Sequence, residues 1–150
     1  MKKYLALIPL FAFAACGGDS TDQTGTGPTG LMADITGGWQ FGDNLTSATI
    51  KLYCGSQGRI TVTQTGADFI ATANVRQSCQ DSLQGGTSAD VVVPITGGRL
   101  DGTAVSFQTN RCQYSGTLSG ILDNTMSGTV SCTFLSLPNH LFTGTWQALR

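Results

Sequence analysis

The chain has 150 residues, of which 40% are hydrophobic and 8% aromatic, enough to bury one sizeable core but hardly two. Only 11% are charged, with three Lys and five Arg against nine Asp and no Glu, which excludes the clustered basic surface that a nucleic-acid backbone requires. The polar surface must therefore be built from uncharged hydroxyls and amides, and the excess of Thr, Val and Ile over Glu and Lys favours strands over helices.

Met1-Lys2-Lys3 is a short positive region, followed by the apolar run Tyr4–Ala15. At about twelve residues the run matches the hydrophobic stretch of a secretory signal rather than the ~20 residues of a membrane-spanning helix. It ends in Phe13-Ala14-Ala15-Cys16-Gly17, which resembles the bacterial lipobox, small residues leading into an obligatory Cys, with Phe13 where Leu is usual. The resemblance implies a signal peptide over residues 1–15 and a Cys16 carrying a diacylglycerol thioether and, after cleavage, an acyl chain such as palmitate on its amino group. Two or three chains anchor stably in a bilayer where one is marginal. An ordinary signal cleaved near Ala15 is the alternative. Removal of the leader takes away Lys2 and Lys3, leaving six bases against nine acids, a net charge of −3. Gly17 and Gly18, not Asp, follow the Cys, which points to the outer membrane if the host is Gram-negative. Residues 16–32 are rich in Gly and Thr and read as a flexible tether between the lipid and a domain spanning residues 33–150.

From Leu31 onward apolar residues alternate in short runs broken by Gly, Asn and Asp, the period-two signal of half-buried strands. The predicted strands are Ile35–Gly42, Ala48–Cys54, Arg59–Thr65, Asp68–Gln77, Ala89–Thr96, Thr103–Thr109, Arg111–Ser119, Thr125–Phe134 and Leu141–Leu149, with Ser78–Ser88 as the one long loop. A single parity collects Trp39, Phe41, Ile50, Leu52, Ile60, Val62, Phe69, Val75, Val91, Val93, Val105, Phe107, Tyr114, Leu118, Met126, Val130 and Trp146. A sheet with one apolar face must fold onto itself, so the fold class is all-β: an antiparallel up-and-down β-barrel of about 8–10 strands.

Ile35-Thr-Gly-Gly-Trp39, Tyr114-Ser-Gly-Thr-Leu118, Met126-Ser-Gly-Thr-Val130 and Phe142-Thr-Gly-Thr-Trp146 share one pattern, an inward Gly between inward apolar residues. The recurrence suggests barrel corners or room for a facing ring, unless it only mirrors a Gly- and Thr-rich composition. Gly37-Gly38-Trp39 resembles the Gly-x-Trp signature that opens lipocalins and other calycin-like barrels, and Gly144-Thr145-Trp146 closes the domain similarly. The Thr-Asp-Tyr motif of lipocalins is missing. The resemblance implies a lipocalin-like barrel in which Arg150 would stack on an end-strand Trp; the residues alone favour a frayed end at Arg150.

With Cys16 used by the lipid, four Cys remain, and an even number in an oxidising compartment implies two disulfides. Folding Arg111–Ser119 on Thr125–Phe134 sets Cys112 opposite Cys132. Cys54 and Cys79 end two strands that run in one direction with a single strand between them, and we pair them across a shared rim. No C-x-x-C spacing marks a zinc site.

His140 stands beside Pro138 and Asn139 in a predicted loop, with no G-x-S-x-G or H-E-x-x-H to give it a role. Asp43, Asp68, Asp101 and Asp123 fall at predicted turns, as do Gly85-Gly86 and Gly97-Gly98, while Arg59, Arg76 and Arg111 point outward. No catalytic residue, metal site or cofactor is expected. The inward aromatic residues are either core or cavity wall; the candidates for a cavity are Trp39, Phe41, Leu52, Phe69, Phe107, Tyr114, Met126 and Trp146, since a barrel of this size is either filled or holds one small ligand. The expected function is that of a non-enzymatic lipoprotein of the cell envelope, binding a small apolar ligand or a protein partner. The alternative is a structural or protease-inhibitor-like module working through its loops, Ser78–Ser88 first.

Overall fold

The computed structural model describes residues 32–81, 85–120 and 122–150; the signal segment, Cys16 and all but the last residue of the tether lie outside them. Eight strands follow one another in sequence: β1 (Gly37–Thr46), β2 (Leu52–Thr65), β3 (Asp68–Asp81), β4 (Gly85–Asp101), β5 (Ala104–Gln108), β6 (Cys112–Ser119), β7 (Thr125–Phe134) and β8 (Leu137–Leu149). Each pairs antiparallel with the next and β8 returns to β1, closing an up-and-down barrel.

The predicted alternation maps onto the barrel wall. Inward positions of β1 and β2 are buried while their outward neighbours are mostly exposed Thr, Gln, Asn and Arg. An apolar inside and a hydroxyl-rich outside is the reverse of the polarity of a bilayer-spanning barrel. One end is packed solid: Trp39, Ile60, Val62, Leu100, Val105, Leu118, Met126 and Ala148 are all buried there, and Ile35 closes it from below. Each such fully buried large side chain contributes roughly 2 kcal/mol relative to exposure. Ile35 is held by its own amide, which donates to Gln64 Oε1 at 2.8 Å, and by its carbonyl, which accepts Trp39 Nε1 at 2.9 Å.

Two inner glycines make room for an indole. Gly116 and Gly128 face each other across β6 and β7, and Trp146 is the residue of β8 opposite Gly128. Trp146 Nε1 reaches past β7 to donate to the Ser115 carbonyl on β6, at 3.1 Å. A Cβ at Gly128 would collide with that same Ser115 carbonyl, and one at Gly116 with the Ser127 carbonyl.

Several expectations change. Of the predicted strand Ala48–Cys54 only Leu52–Cys54 is strand, since residues 48–50 form the turn after β1, and it runs unbroken into the predicted Arg59–Thr65 because Gly55 and Gly58 do not break it; they let β2 lie close to the carbonyls of Asp43 on β1 and Asn74 on β3. The predicted Ser78–Ser88 loop is mostly a continuation of the β3–β4 ladder, which pairs Ser78 with Ser88 and runs on to Asp81 and Gly85. Gly97-Gly98 is not a turn but a bulge inside β4, with Gly97 at φ +57° and the register shifting between Thr96 and Arg99. Such an extra residue bends its strand. Gly98 is buried against the Phe69 ring, where a side chain has no space. His140 lies in β8 rather than a loop, half-buried, with Nδ1 2.8 Å from Thr49 Oγ1. Asp43 is likewise no turn residue: it is an inward position of β1.

Both disulfides sit at the end opposite Ile35. Cys112–Cys132 bridges directly opposed positions of β6 and β7, as the hairpin argument requires. Cys54–Cys79 is also formed, yet its geometry differs from the expectation: with β2 continuous, the two are direct partners on adjacent strands and no strand lies between them.

Candidate ligand-binding site

The disulfide end of the barrel is open on one side. Strand β5 is short and contributes partners to β4 only from Thr96 onward, so the stretch Gly85–Ile95 of β4 has a strand neighbour on one edge alone among the described residues. Between that free edge and the β5–β6 turn lies a cavity of about 220 Å³. Val91, Val93 and Ile95 form one wall, Phe41, Ala73 and Val75 the back, Phe107 and Tyr114 the other wall, and Thr109–Cys112 the lip. The lip is fixed locally. Thr109 Oγ1 accepts from the amides of Arg111 and Cys112 at 3.3 and 3.0 Å, and the Thr109 amide donates to the Cys112 carbonyl at 2.9 Å.

The aromatic wall is rigidly built. Phe107 and Tyr114 stack at 4.5 Å between ring centres, Trp146 meets Phe107 edge-on at 5.0 Å, and Phe41 meets Tyr114 at 6.0 Å. Pairs of this geometry contribute on the order of 1 kcal/mol beyond their burial and hold one another in place.

At the inner end the cavity turns polar. The Tyr114 hydroxyl donates to Asp43 Oδ2 at 2.9 Å, and the Ser56 amide donates to Asp43 Oδ1 at 2.7 Å. Tyr114 and Ser56 line the cavity, so the carboxylate stands directly behind its surface. Burial pushes the Asp43 carboxyl above the usual carboxylate range, against the opposing pull of the hydrogen bonds from Tyr114 and Ser56. Burial, and then the neighbouring carboxylate, push Tyr114 upward, so its phenol stays a donor throughout the physiological range.

Of the residues the sequence offers as cavity wall, Phe41, Phe107 and Tyr114 line this space. Phe69 and Trp146 stand one layer behind, packed edge-on against Phe107 at 6.1 and 5.0 Å. Trp39 and Met126 are buried in the solid end, and Leu52 is half-buried at the rim. Sequence reasoning missed Asp43 and Ser56. The signal was there: Trp39, Phe41, Asp43 and Leu45 share one parity, and extending β1 past Gly42 points Asp43 inward.

No protein-family profile, curated protein or solved structure matches this chain. A larger concavity, about 770 Å³, lies outside on β5–β8, where Ser106, Gln113, Ser115, Thr129, Thr143 and Thr145 make most of its wall beside Phe107 and Tyr114; it is a shallow groove with no charged residue in its lining.

Among the described residues no three His, Cys or Asp side chains come together as a metal site, and all four described Cys are consumed in disulfides.

Proposed function

We propose that this protein is a membrane-anchored, non-enzymatic binding protein of the cell envelope, with a lipocalin-like barrel that takes a small, largely apolar ligand between β4 and the β5–β6 turn. The observation that carries the reading is the cavity of about 220 Å³ behind Phe107 and Tyr114, in a barrel whose other end is packed solid. Sites that hold small molecules are concave, mainly apolar and furnished with few polar groups. The anchor rests on the leader and Cys16, supported by cysteine parity: the other four are paired. Native mass spectrometry of the protein released from membranes tests the binding role, with a co-purifying small molecule as the expected result. Metabolic labelling with an alkyne fatty acid tests the anchor, and a Cys16→Ser chain should lose the label and leave the membrane fraction.

A second reading is favoured by the same open edge. Among the described residues no strand lies along the outer edge of the Gly85–Ile95 stretch of β4, to which a partner strand could add. Pro94, which has no N–H, and Asp90 blunt that edge. Pro94→Thr should then increase self-association, read by light scattering, if the edge is pairing-competent.

A further inference from the structure

The polar end of the cavity contains a carboxylate with nothing of opposite charge to answer it. Asp43 is buried, and its partners at 2.7 and 2.9 Å, the Ser56 amide and the Tyr114 hydroxyl, are neutral donors. Opposite it on β8 stands Trp146, which does not ionise. Among the described residues no Lys, Arg or His is buried, and Arg111 at the lip is exposed. A buried carboxylate without a counter-cation is costly and must either stay protonated or be balanced by something that enters the site.

The phenol in front of it offers an acceptor to the cavity. The Tyr114 hydrogen is committed to Asp43, so its oxygen lone pairs remain for a donor in the cavity. Three aromatic rings, Phe41, Phe107 and Tyr114, line the same space, and aromatic rings attract cations through their quadrupoles. A wholly apolar ligand would leave this end unpartnered, and a fatty acid would bring a second negative charge to it. A protonated amine can donate to the Tyr114 oxygen and neutralises the carboxylate behind it.

We infer that the cavity selects a small amphipathic amine, its ammonium lodged at Tyr114 and Ser56 in front of Asp43 and its apolar part between Val75, Val93 and Phe107. This rests on the reading of the cavity as a ligand site and narrows it to a chemical class. An apolar cavity of about 150 Å³ holds benzene, so the present volume of about 220 Å³ suits an aryl or short alkyl amine of roughly ten heavy atoms.

Calorimetric titration of the mature protein at pH 7.5 with 2-phenylethylamine, 2-phenylethanol, 3-phenylpropanoate and toluene tests it. The amine should bind at least about tenfold more tightly than the alcohol, a factor worth ~1.4 kcal/mol. The carboxylate should not bind. Asp43→Asn, in which an amide can still accept from Ser56, should bring the amine down to the alcohol and leave the alcohol unchanged. Tyr114→Phe, which keeps the ring stack, should weaken the amine alone. Equal affinity for amine and alcohol, tighter binding of the carboxylate, or an amine preference that survives Asp43→Asn would each overturn the inference while leaving the cavity as a site. Failure of all four probes, toluene included, would remove the inference and the ligand-binding reading together.

Discussion

The guanidinium of Arg150 lies 4.8 Å from the centre of the Trp39 ring and ties the far end of β8 to the start of β1. Its Nη1 and Nη2 donate to the carbonyls of Thr36 and Asp34, each at 3.2 Å. The expected frayed end is thus replaced by a clasp over the solid end of the barrel. A cation–π contact and two charge-assisted hydrogen bonds at an exposed site together contribute about 1–2 kcal/mol. Arg150→Ala should lower stability by that amount in urea denaturation followed by tryptophan emission. Arg150→Lys, which keeps the charge but not the fork, should recover less than half of it. An unchanged midpoint in Arg150→Ala would show that the clasp is decorative.

The inner glycines make a sharper prediction. A methyl at Gly128 meets the Ser115 carbonyl and the Gly116 Cα, backbone that cannot move without parting β6 from β7. Gly128→Ala should cost more than about 3 kcal/mol or prevent folding, since overpacking against fixed backbone lies at the severe end of single substitutions. Gly42 serves as the control. Its nearest neighbour would be 3.7 Å from the new Cβ, and Gly42→Ala should shift stability by less than about 1 kcal/mol.

Much of the barrel could be read from the chain because the period-two signal is strong wherever one face is wet. From Thr125 to Phe134 the parity and the boundaries coincide with β7. The signal fails where small residues interrupt it for reasons of spacing rather than turning. Gly55 and Gly58 look like punctuation but mark close approaches to neighbouring strands, so one strand was divided into two. Gly42-Asp43 looks like a turn for the same reason, and that hides the buried carboxylate of Asp43. The pairing of Cys54 with Cys79 followed from counting strand ends, although the two are direct neighbours; an error of one strand left the partner unchanged. Which aromatics line the cavity was beyond reach, because its mouth depends on a long-range fact: β5 ends before it can cover Gly85–Ile95.

The disulfides stand at the open end, where packing is thinnest, and each closes a loop with a sequence separation of 25 or 20. Loop-closure entropy gives roughly 3 kcal/mol for each. Serine replacement of either pair should lower stability by about that much. The consequences for the site differ. Cys112 belongs to the lip of the cavity and Cys132 is buried, so Cys112→Ser with Cys132→Ser should also weaken binding of a neutral probe such as toluene; the Cys54 and Cys79 double replacement should not. Parallel denaturation and binding curves on the two double variants separate the effects, and equal loss of binding in both would place the lip elsewhere.

Asp43 predicts an inverted pH dependence for one group in the core. Its folded-state pKa is raised above the ordinary value of 3.8, chiefly by burial. In the window between the ordinary and the raised value the unfolded chain has released the proton while the folded chain retains it, so the folded state binds more protons and stability falls as pH rises. Below the window the contribution is fully present, and above it the loss is complete. Tyr114 is the titratable group in contact with Asp43, and it stays protonated throughout this range, so it adds no slope of its own. Asp43→Asn removes the effect and leaves the other carboxylates in place. The stability of Asp43→Asn minus that of the unsubstituted protein should therefore increase from pH 3.5 to 7.5, measured by urea denaturation at each pH. A difference that decreases over that range would mean that the folded-state pKa is lowered and that the carboxylate is held as an anion by its two donors. Asp43→Ala checks the geometry independently: it leaves the Ser56 amide and the Tyr114 hydroxyl without their acceptor, at a cost of about 2–4 kcal/mol at every pH where the unsubstituted protein is folded.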